Sequence, residues 1–480
     1  MNPVMLIAVP LIAAFISSLF AKRSSLLLLF AAFVNSVIAI AVSLSAINGS
    51  YSMGGWSPPY GIELVVTDMT RVLVPAVNIL AFFAIVVYWR RQDSPGKYSI
   101  VYTISLAALN GILLTNDLFN LFVFLEIAGV SAYLLASTGK TGSSKVAAFK
   151  YLMIGSVGSI LYLLGVVLVY ATTGTLNISE IAARISLGQI NGDVLLLSSL
   201  LFMIGLGVEA KLLPLNGWVP DVFTKSSGPA TLVLASIYPL AMISAFIRVL
   251  LAVRDERTMG AVLVLGVATV IGGEVVAFGQ KRLRRTLAYS SIAQSGLAIL
   301  LVGVGTAGAI AASVMIIVNN ALAKFVLFSV DGLAIEKIGS DDIEKITGFG
   351  RTSQVTGLVF TVSALSIAGM PLFMGFRAKL LVISSSFDTG LLIPVIILLA
   401  AAIEATYYFR WIFSLYKPPF SRVEPLKERL PLELLTIGII LAAVLVFLGT
   451  SSGETLAIFD RAGNFMEEII FMGKTLIGGM

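Results

Sequence analysis

Residues 202–229 read FMIGLGVEAKLLPLNGWVPDVFTKSSGP, an apolar run that breaks after Lys211 into a stretch rich in Pro and Gly. The first part is apolar enough for a membrane helix, whereas the second part is too short and too interrupted for an ordinary loop. Backbone groups at membrane depth have no water to bond, so such a segment survives only when buried in protein or lining a wet cavity. The stretch therefore predicts a broken helix inside a membrane protein.

A second stretch of the same kind, AGMPLFMGFRAK, occupies residues 368–379. In our helix count one break follows the seventh helix and the other follows the twelfth, so that a repeat would contain five helices. Because five is odd, the two repeats must lie inverted in the membrane, an arrangement typical of transport sites. The repeat is inferred from hydropathy and from the positions of Gly and Pro alone, because the two stretches show no residue-by-residue repeat. We expect residues 214–220 and 369–376 to be non-helical.

The composition of the whole chain supports the membrane assignment. Of the 480 residues, 58% are hydrophobic and 12% are charged, against about 25% charged residues in a soluble domain. Apolar runs of about 17–25 residues recur from end to end, and each is long enough to cross about 30 Å of hydrocarbon. The run at residues 1–20 has no basic segment before it and no clear cleavage site after it, so we interpret it as a first helix rather than a signal peptide.

We expect an all-α membrane protein with about 14 transmembrane helices. The expected helices are 3–20, 25–46, 72–89, 99–115, 118–136, 147–171, 194–213, 229–252, 259–279, 288–304, 307–333, 355–372, 390–414 and 432–449. The expected parts are N-terminal helices 1–3 (residues 1–98), a first inverted repeat of helices 4–8 (99–253), a second inverted repeat of helices 9–13 (258–416), and helix 14 with a tail (430–480). Within the tail, residues 454–472 are long enough for one short helix.

The distribution of Lys and Arg predicts the orientation. With the N-terminus outside, the inner loops hold about twenty-one Lys and Arg, and the outer loops and tail hold about six. We therefore expect a multi-pass protein of the cell membrane with both termini on the outer face and the basic stretch 281–285 on the inner face. The net charge of +6 then reflects basic loops facing an anionic membrane surface rather than nucleic-acid binding.

The chain contains no cysteine and no histidine. This excludes disulfides, thiolate metal sites, iron–sulfur clusters and His-ligated haem within the chain. The sequence also has no glycine-rich nucleotide fingerprint, so we expect no cofactor and no metal on this chain, and we expect any redox chemistry to occur on a partner. Ion movement would have to use Lys, Arg, Asp, Glu, water and backbone groups.

Charged residues inside the apolar spans are the candidates for ion translocation. An unpaired Lys or Arg at the membrane centre costs about 2.5–3.5 kcal/mol on insertion scales, so such residues are paired or functional. A Glu–Lys pair whose separation changes can switch protons, because separation drives the Lys to release a proton and the Glu to take one. The candidates for ion translocation are Glu126, Lys211, Lys324, Glu404, Glu274 and Lys379.

Glu126 is the sharpest candidate, since it lies about nine residues into LFVFLEIAGVSAYLL, too deep to reach the surface. We expect it to approach Lys211, directly or through one water, because each charge is expensive alone in hydrocarbon. The alternative is a static pair that only orders the bundle. Glu209 is two residues from Lys211 and faces elsewhere on the helix. Arg248 and Arg410 are better explained as anchors of helix ends at the interface.

Together these residues resemble the antiporter-like membrane subunits of respiratory complex I, of the Mrp cation/proton antiporters, and of archaeal membrane-bound hydrogenase and sulfur-reductase complexes. The resemblance covers roughly residues 60–415. The matching stretches, in order, are FLEIAGVSAYLL around Glu126, PLNGWVPD at 214–221 after Lys211, RRTLAYSSIAQSG at 284–296, NALAKFVLF at 320–328 around Lys324, and GMPLFMGFRAK at 369–379.

This resemblance implies a channel built from the Glu, the lysines and buried water, linked by a polar axis at mid-membrane and driven by the redox module of a larger complex. The implied partners are other membrane subunits, including further antiporter-like ones, a soluble redox module and the lipid bilayer, with no nucleic acid. The redox module would be of the hydrogenase, sulfur-reductase or NADH-dehydrogenase kind. Proton and sodium transport both stay open, because both use carboxylates.

Three positions depart from the family pattern. Asn216 and Asn320 stand where the family has His, and Leu240 stands where it usually has a Lys in helix eight. Asn can hold water but cannot carry a proton charge. The relay would then run through water, through Glu274 or Glu404, or not at all. Two alternatives to an ion-translocating subunit therefore remain: a structural spacer with a degenerate channel, and a stand-alone secondary transporter.

Overall fold

The computed structural model describes residues 2–19, 24–45, 49–58, 61–88, 95–139, 141–387, 390–418 and 431–478. The expected helix ends at residues 20, 46 and 89 lie outside these ranges. So do several of the basic loop residues that predict the orientation, namely Lys22, Arg23, Arg90, Arg91, Lys140, Arg422, Lys427 and Arg429.

The described chain is almost entirely helical. The N-terminal part holds α1 (Met5–Leu19), α2 (Ser24–Leu44), an antiparallel hairpin of β1 (Gly49–Ser52) and β2 (Glu63–Val66), and α3 (Asp68–Tyr88). The middle part holds α4 (Pro95–Leu114), α5 (Leu118–Ala136), α6 (Gly142–Thr173), α7 (Ile178–Ser186), α8 (Gly192–Glu209), α9 (Trp218–Lys225), α10 (Gly228–Leu232), a π-helical turn (Val233–Ile237) and α11 (Tyr238–Ala252). The last part holds α12 (Glu256–Phe278), α13 (Leu283–Val304), α14 (Ala307–Ile338), α15 (Phe349–Thr352), α16 (Gln354–Ala368), α17 (Met374–Ser386), α18 (Leu392–Tyr416), α19 (Leu432–Thr450), α20 (Gly453–Gly463) and α21 (Phe465–Gly478).

Eleven helices in the described part of the chain are long and apolar enough to cross a membrane. They are α2, α3, α5, α6, α8, the continuous α10–α11 unit, α12, α13, α14, α18 and α19. Three shorter apolar helices, Met5–Leu19, Ile100–Leu114 and Gln354–Ala368, occupy the places of the remaining expected spans. The chain is thus a helical, multi-pass membrane protein, as the composition predicts.

Two of the spans lie at the centre of the bundle. In Gly228–Ala252 and in Ala307–Ile338 every residue of the most apolar window is buried, whereas a third of the corresponding window of α6 is buried. A helix that is apolar on all sides and covered on all sides is a core helix. Lys324 lies on one of these two, α14, and is fully buried among its neighbours. A charge at this position cannot reach either surface by bending its side chain.

Close contact between α12 and α13 rests on four glycines, two on each helix and seven residues apart: Gly266, Gly273, Gly296 and Gly303. A Cβ added to Gly273 would lie 2.7 Å from the backbone nitrogen of Ala293. Small residues let membrane helices approach until their backbones touch. The consequence for the site is local, because Glu274 follows Gly273 and Gln294 follows Ala293. The crossing brings these two polar residues to one chamber.

Several sequence-based expectations need correction. The seventh expected helix ends at Glu209 instead of 213, and the twelfth ends at Ala368 instead of 372. The expected non-helical segments are right for 214–217 and 369–373, but wrong beyond them, since α9 begins at Trp218 and α17 at Met374. Helix α9 tolerates Pro220 because a missing N–H has no cost in the first helical turn. The sequence does not predict helix α7 or the hairpin, and the hairpin departs from the expected all-α class. The tail forms two helices, α20 and α21, instead of the one expected.

Candidate ion-translocation site

The first break begins where α8 ends at Glu209, and the chain becomes helical again at Trp218. In the turn between them Lys211 adopts φ 65°, a left-handed conformation that costs a non-glycine residue about 1–2 kcal/mol. The Leu212 N–H donates to the Gly207 carbonyl at 2.8 Å, which satisfies one of the carbonyls left open at the helix end. The turn therefore holds the Lys211 backbone at the negative end of the α8 dipole.

Lys211 is buried, and its Nζ has no hydrogen-bond partner among the described residues. The Nζ atom lies 5.3 Å from the centroid of the Phe223 ring, a cation–π contact. Within the described ranges no carboxylate oxygen lies within 4.0 Å of this ammonium, so Glu126 makes no direct ion pair with it. Contact between Glu126 and Lys211 through one water stays a prediction.

Glu126 lies half-buried on the outward face of α5. The residues one and two turns away on that face, Phe119, Val123, Val130 and Leu134, are all exposed hydrophobic side chains. Its carboxylate is within electrostatic range of Glu209 and Tyr133. The structure thus places Glu126 near a second carboxylate at the edge of the bundle, and not against the lysine.

Glu209, which sequence reasoning set aside, is hydrogen-bonded in this first half. Tyr151 donates its hydroxyl proton to the Glu209 carboxylate at 2.6 Å, and the Tyr151 ring stacks on Trp218 with centroids 3.7 Å apart. Glu209 also borders a cavity of about 20 Å³ together with Tyr133 and Ser159, enough for about one water. The sequence does not show that Tyr151 is the partner of Glu209, because the two residues are 58 positions apart and meet only in the folded chain.

The second break also places left-handed backbone between two helices. Helix α16 ends at Ala368, Gly369 adopts φ 78°, and α17 begins at Met374. Leu372 adopts φ 78° as well, so each break contains one non-glycine residue in the left-handed region. Two non-glycine residues with positive φ are found in the described chain, and they are these two. Strained backbone of this kind persists where the surrounding structure holds it in place.

Lys379 on α17 forms the ion pair that is missing in the first half. Its Nζ lies 2.5 Å from a carboxylate oxygen of Glu404 on α18, and both side chains are buried. The other Glu404 oxygen accepts a hydrogen bond from Gln294 Nε2 at 2.7 Å. Charge-assisted bonds of this length are the strong ones, so Glu404 is held on both oxygens.

Lys324, at the centre of the bundle, has neutral partners. Its Nζ donates to the Leu287 carbonyl at 3.1 Å and to the Tyr408 hydroxyl at 3.0 Å. The same hydroxyl shares a hydrogen bond with Ser290 Oγ at 2.9 Å, in which either oxygen can donate. A row of groups able to pass a proton therefore leads from Lys324 to Tyr408 and Ser290.

Among the remaining candidates, Glu274 and Asn320 are buried and each has one oxygen without a hydrogen-bond partner in the described residues. Asn216 is half-buried in the first break. Leu240 is fully buried on α11 and leaves an apolar position in the central helix. The polar side chains of Glu274, Asn320 and Asn216 can each bind a water molecule, whereas the apolar side chain of Leu240 cannot.

The two halves meet through aromatic side chains. Phe223, which covers Lys211, makes an edge-to-face contact with Phe328 on α14, with ring centroids 5.7 Å apart. Lys324 lies one turn before Phe328 on that helix, and Lys211 and Lys324 are within electrostatic range of each other. The site is thus one line of buried ionisable groups, with aromatic rings where the halves join.

Residues 115–404, which include nearly all of this line, match the family described as "NADH:quinone oxidoreductase/Mrp antiporter, TM". The chain belongs to this family. It is 30% identical to a subunit of the NADH-quinone oxidoreductase of Desulforudis audaxviator over 433 residues, 86% of each chain. It is 29% identical to a subunit of the Na(+)/H(+) antiporter of Alkalihalophilus pseudofirmus over 395 residues, 79% of this chain and 80% of the relative.

A solved structure shares both the fold and the sequence similarity. A chain of the membrane-bound sulfane sulfur reductase, an archaeal respiratory membrane complex, superposes with a TM-score of 0.92 at 29% identity, over 98% of this chain and 99% of that one. The resemblance predicted from five stretches of sequence is confirmed. Membership in the quinone oxidoreductase/Mrp family places the two breaks and the buried lysines within a known membrane architecture.

Two arginines of this family member match the sequence-based expectation in part. Arg410 donates to the carbonyls of Phe278 and Gln280 at 2.9 and 2.7 Å, and so anchors the end of α12. Arg248 also holds a helix end, with bonds to the Ile112 and Leu113 carbonyls at 2.8 and 2.9 Å. Arg248 is buried at that helix end, and its place at the membrane interface stays a prediction.

Proposed function

We propose that the chain is an ion-translocating, antiporter-like membrane subunit of a multi-subunit, redox-driven energy-converting complex, carrying protons, sodium ions or both. The observation that carries the proposal is the line of buried ionisable groups from Lys211 through Lys324 to the Lys379–Glu404 pair. Ionisable side chains inside a membrane protein are costly, and they mark ion pathways. Glu126 at the edge of the bundle, Glu274 and the water-holding Asn216 and Asn320 complete the set.

The architecture that serves this function is a set of fourteen spans with two inverted repeats, residues 99–253 and 258–416. The eleven long spans and the three shorter apolar helices support the count. The two breaks, each with one non-glycine residue at positive φ, support the repeat. The excess of Lys and Arg in alternate loops supports an orientation with both termini outside.

The proposed partners follow from the complexes to which related chains belong. One related chain is part of a respiratory complex named as a sulfane sulfur reductase, and another is named as a subunit of an NADH–quinone oxidoreductase. We infer that this chain lies beside other membrane subunits, antiporter-like ones among them, in the cell membrane, and that a soluble redox module drives it. A stand-alone transporter would instead purify without such partners.

Lys324→Met tests the proposal at its centre. Methionine keeps the length and volume of the side chain but cannot carry a proton, so we expect ion transport per redox turnover to fall at least tenfold, or about 1.4 kcal/mol in the barrier. The measurement is ion uptake into vesicles that hold the whole complex, divided by the rate of the redox reaction. The control is Lys345→Met, the same change at an exposed position. Equal ratios for Lys324→Met and wild type would contradict the proposal.

A second candidate function, a structural spacer with a degenerate channel, is favoured by the buried Leu240 and by the missing Glu126–Lys211 ion pair. Glu126→Gln separates the two. If the first half conducts, this change should abolish transport while redox activity stays largely intact. If the chain is a spacer, the ratio of transport to redox turnover should not change, and only assembly or heat stability should suffer. The same vesicle measurement decides between them.

A further inference from the structure

A small chamber lies between α12, α13, α17 and α18, which we call the carboxylate chamber. Its polar lining consists of Glu274, Gln294, Lys379 and Glu404, and the remaining lining is apolar. The chamber has a volume of about 10 Å³, which is about the space of a single water or a smaller ion. It lies directly beside the second break, because Lys379 is on the half-helix that follows the break.

The charges around the chamber do not balance. Glu404 is neutralised, because it accepts from Lys379 at 2.5 Å and from Gln294 at 2.7 Å. Glu274 is 2% exposed and makes no ion pair in the described chain. The two carboxylates and the one ammonium leave one negative charge, and an uncompensated buried charge is strongly unfavourable. The chamber therefore requires one more positive charge. Lys324, the other ammonium nearby, is already bonded to neutral partners.

The atoms left free in the chamber are oxygens. Glu274 Oε2 and Gln294 Oε1 are buried without a hydrogen-bond partner among the described residues. Turning the Gln294 amide would place its oxygen against the Glu404 carboxylate, so the amide nitrogen stays on Glu404 and the amide oxygen stays free. The Tyr407 hydroxyl oxygen lies near the Glu274 carboxylate. It too has no partner within hydrogen-bonding distance and angle among the described residues. The chamber thus offers a carboxylate and an amide carbonyl, and the Tyr407 hydroxyl lies next to the carboxylate, outside the chamber lining.

We propose that the carboxylate chamber is a binding site for one sodium ion, held by Glu274, Gln294 and Tyr407. Hard cations take carboxylate and carbonyl oxygens as ligands, and a small cation meets several oxygens at once. A proton on Glu274 would satisfy one neighbouring oxygen and leave the others without a partner. No group of three or more Asp and Glu side chains in the described residues is arranged for a metal, and a sodium site does not need one, since neutral oxygens complete it.

The location of the sodium site beside the second break gives it a role in ion transport. This role rests on the proposed function. Coupling-ion sites in transporters lie at broken helices, where half-helix ends supply ligands and charge. A sodium ion in the chamber would stand beside Lys379 and repel its ammonium. Sodium binding and opening of the Lys379–Glu404 pair are therefore linked, so that arrival of the ion favours release of Lys379 towards the break.

The test uses heat stability of the purified native complex in detergent at constant ionic strength. Sodium chloride replaces choline chloride stepwise, and potassium chloride is titrated in parallel. We expect a saturable rise in Tm with sodium and no comparable rise with potassium, because potassium makes longer contacts to oxygen than sodium and is held more weakly by the few oxygens of the chamber. Glu274→Gln and Gln294→Met should abolish the rise, and Glu274→Asp should keep it with at least tenfold weaker apparent affinity. The matched control is Glu209→Gln, which borders the equivalent small cavity of the first half and should keep the wild-type response.

The outcomes separate the inference from the proposed function. An equal rise with potassium or choline would overturn the sodium site, and so would a complex whose Tm responds to pH but not to sodium, since the chamber then takes only a proton. If Glu274→Gln fails to assemble, Gln294→Met and Glu274→Asp give the answer. A normal sodium response in a complex that transports no ion would support the site and contradict the proposed function, and the reverse result would contradict only the site.

Discussion

The two broken helices carry the same charge in opposite circumstances. In the first half the Lys211 ammonium has no hydrogen-bond partner in the described chain and faces the Phe223 ring at 5.3 Å. In the second half the Lys379 ammonium forms a 2.5 Å ion pair with Glu404. Both lysines lie beside a break, since Lys211 is in the first one and a Cβ on Gly369 in the second would come within 2.6 Å of the Lys379 Cδ atom. The difference is therefore one of counterions, not of position.

This difference separates two roles that a buried lysine can have. A lysine with a carboxylate partner adds to stability as long as both members are present, because removing one leaves a lone charge. A lysine without a partner lowers stability and persists because function retains it. Charge at the first break can thus change at little cost in stability, whereas at the second break a carboxylate counterion opposes the change.

The largest expected effect is an opposite change in stability for the same substitution at the two breaks. Lys379→Met should destabilise the protein by about 3–5 kcal/mol, since it leaves Glu404 buried and unpaired. Lys211→Met should stabilise it by about 1–3 kcal/mol, since it removes an unsatisfied buried group. The measurement is denaturant or thermal unfolding of the purified complex, with both variants in parallel.

The control for this comparison is the double variant Lys379→Met with Glu404→Gln. Because it removes both charges together, it should recover most of the stability that either single change loses. A double variant as unstable as the sum of the single ones would show that the pair does not interact. Loss of stability in Lys211→Met would show that Lys211 has a partner, and the contrast between the breaks would disappear.

A smaller effect is expected from Tyr151→Phe in the first half. The change removes the 2.6 Å hydrogen bond to Glu209 and keeps the ring stacked on Trp218, so the loss should be about 1–3 kcal/mol. Tyr170→Phe is the matched control, because Tyr170 lies on the same helix and is 52% exposed, and surface changes usually stay within about 0.5 kcal/mol. Equal stability of the two variants would mean that the Glu209 carboxylate finds another donor, such as water in the adjoining cavity.

The sequence predicts the spans and the approximate places of both breaks, because hydropathy and the positions of Pro and Gly are local properties. It does not predict which charges meet. Glu404 binds Lys379, which is 25 residues away in the sequence, and Gln294, which is 110 residues away. Both contacts therefore depend on how α12, α13, α17 and α18 pack. The expected Glu126–Lys211 contact rests on the cost of burial alone. The structure instead gives Glu126 an outward position and Lys211 an aromatic ring, so the direct contact is absent and contact through one water stays a prediction.

The smallest expected effect concerns the backbone of the second break. Leu372 adopts φ 78° and is 65% exposed, so its side chain adds little buried area to offset a left-handed conformation that costs about 1–2 kcal/mol. Glycine removes this cost but adds about 0.5–1 kcal/mol of chain entropy to the unfolded state. Leu372→Gly should therefore stabilise the protein slightly, by up to about 1 kcal/mol, in thermal unfolding of the complex. Leu380→Gly is the control, since Leu380 is 55% exposed inside α17, where glycine costs about 1 kcal/mol. Opposite signs would show that the second break is strained at Leu372 and held by its surroundings, as the first is at Lys211. The same sign would mean that the Leu372 side chain contributes contacts, with lipid or a neighbouring subunit, that outweigh the strain of its backbone.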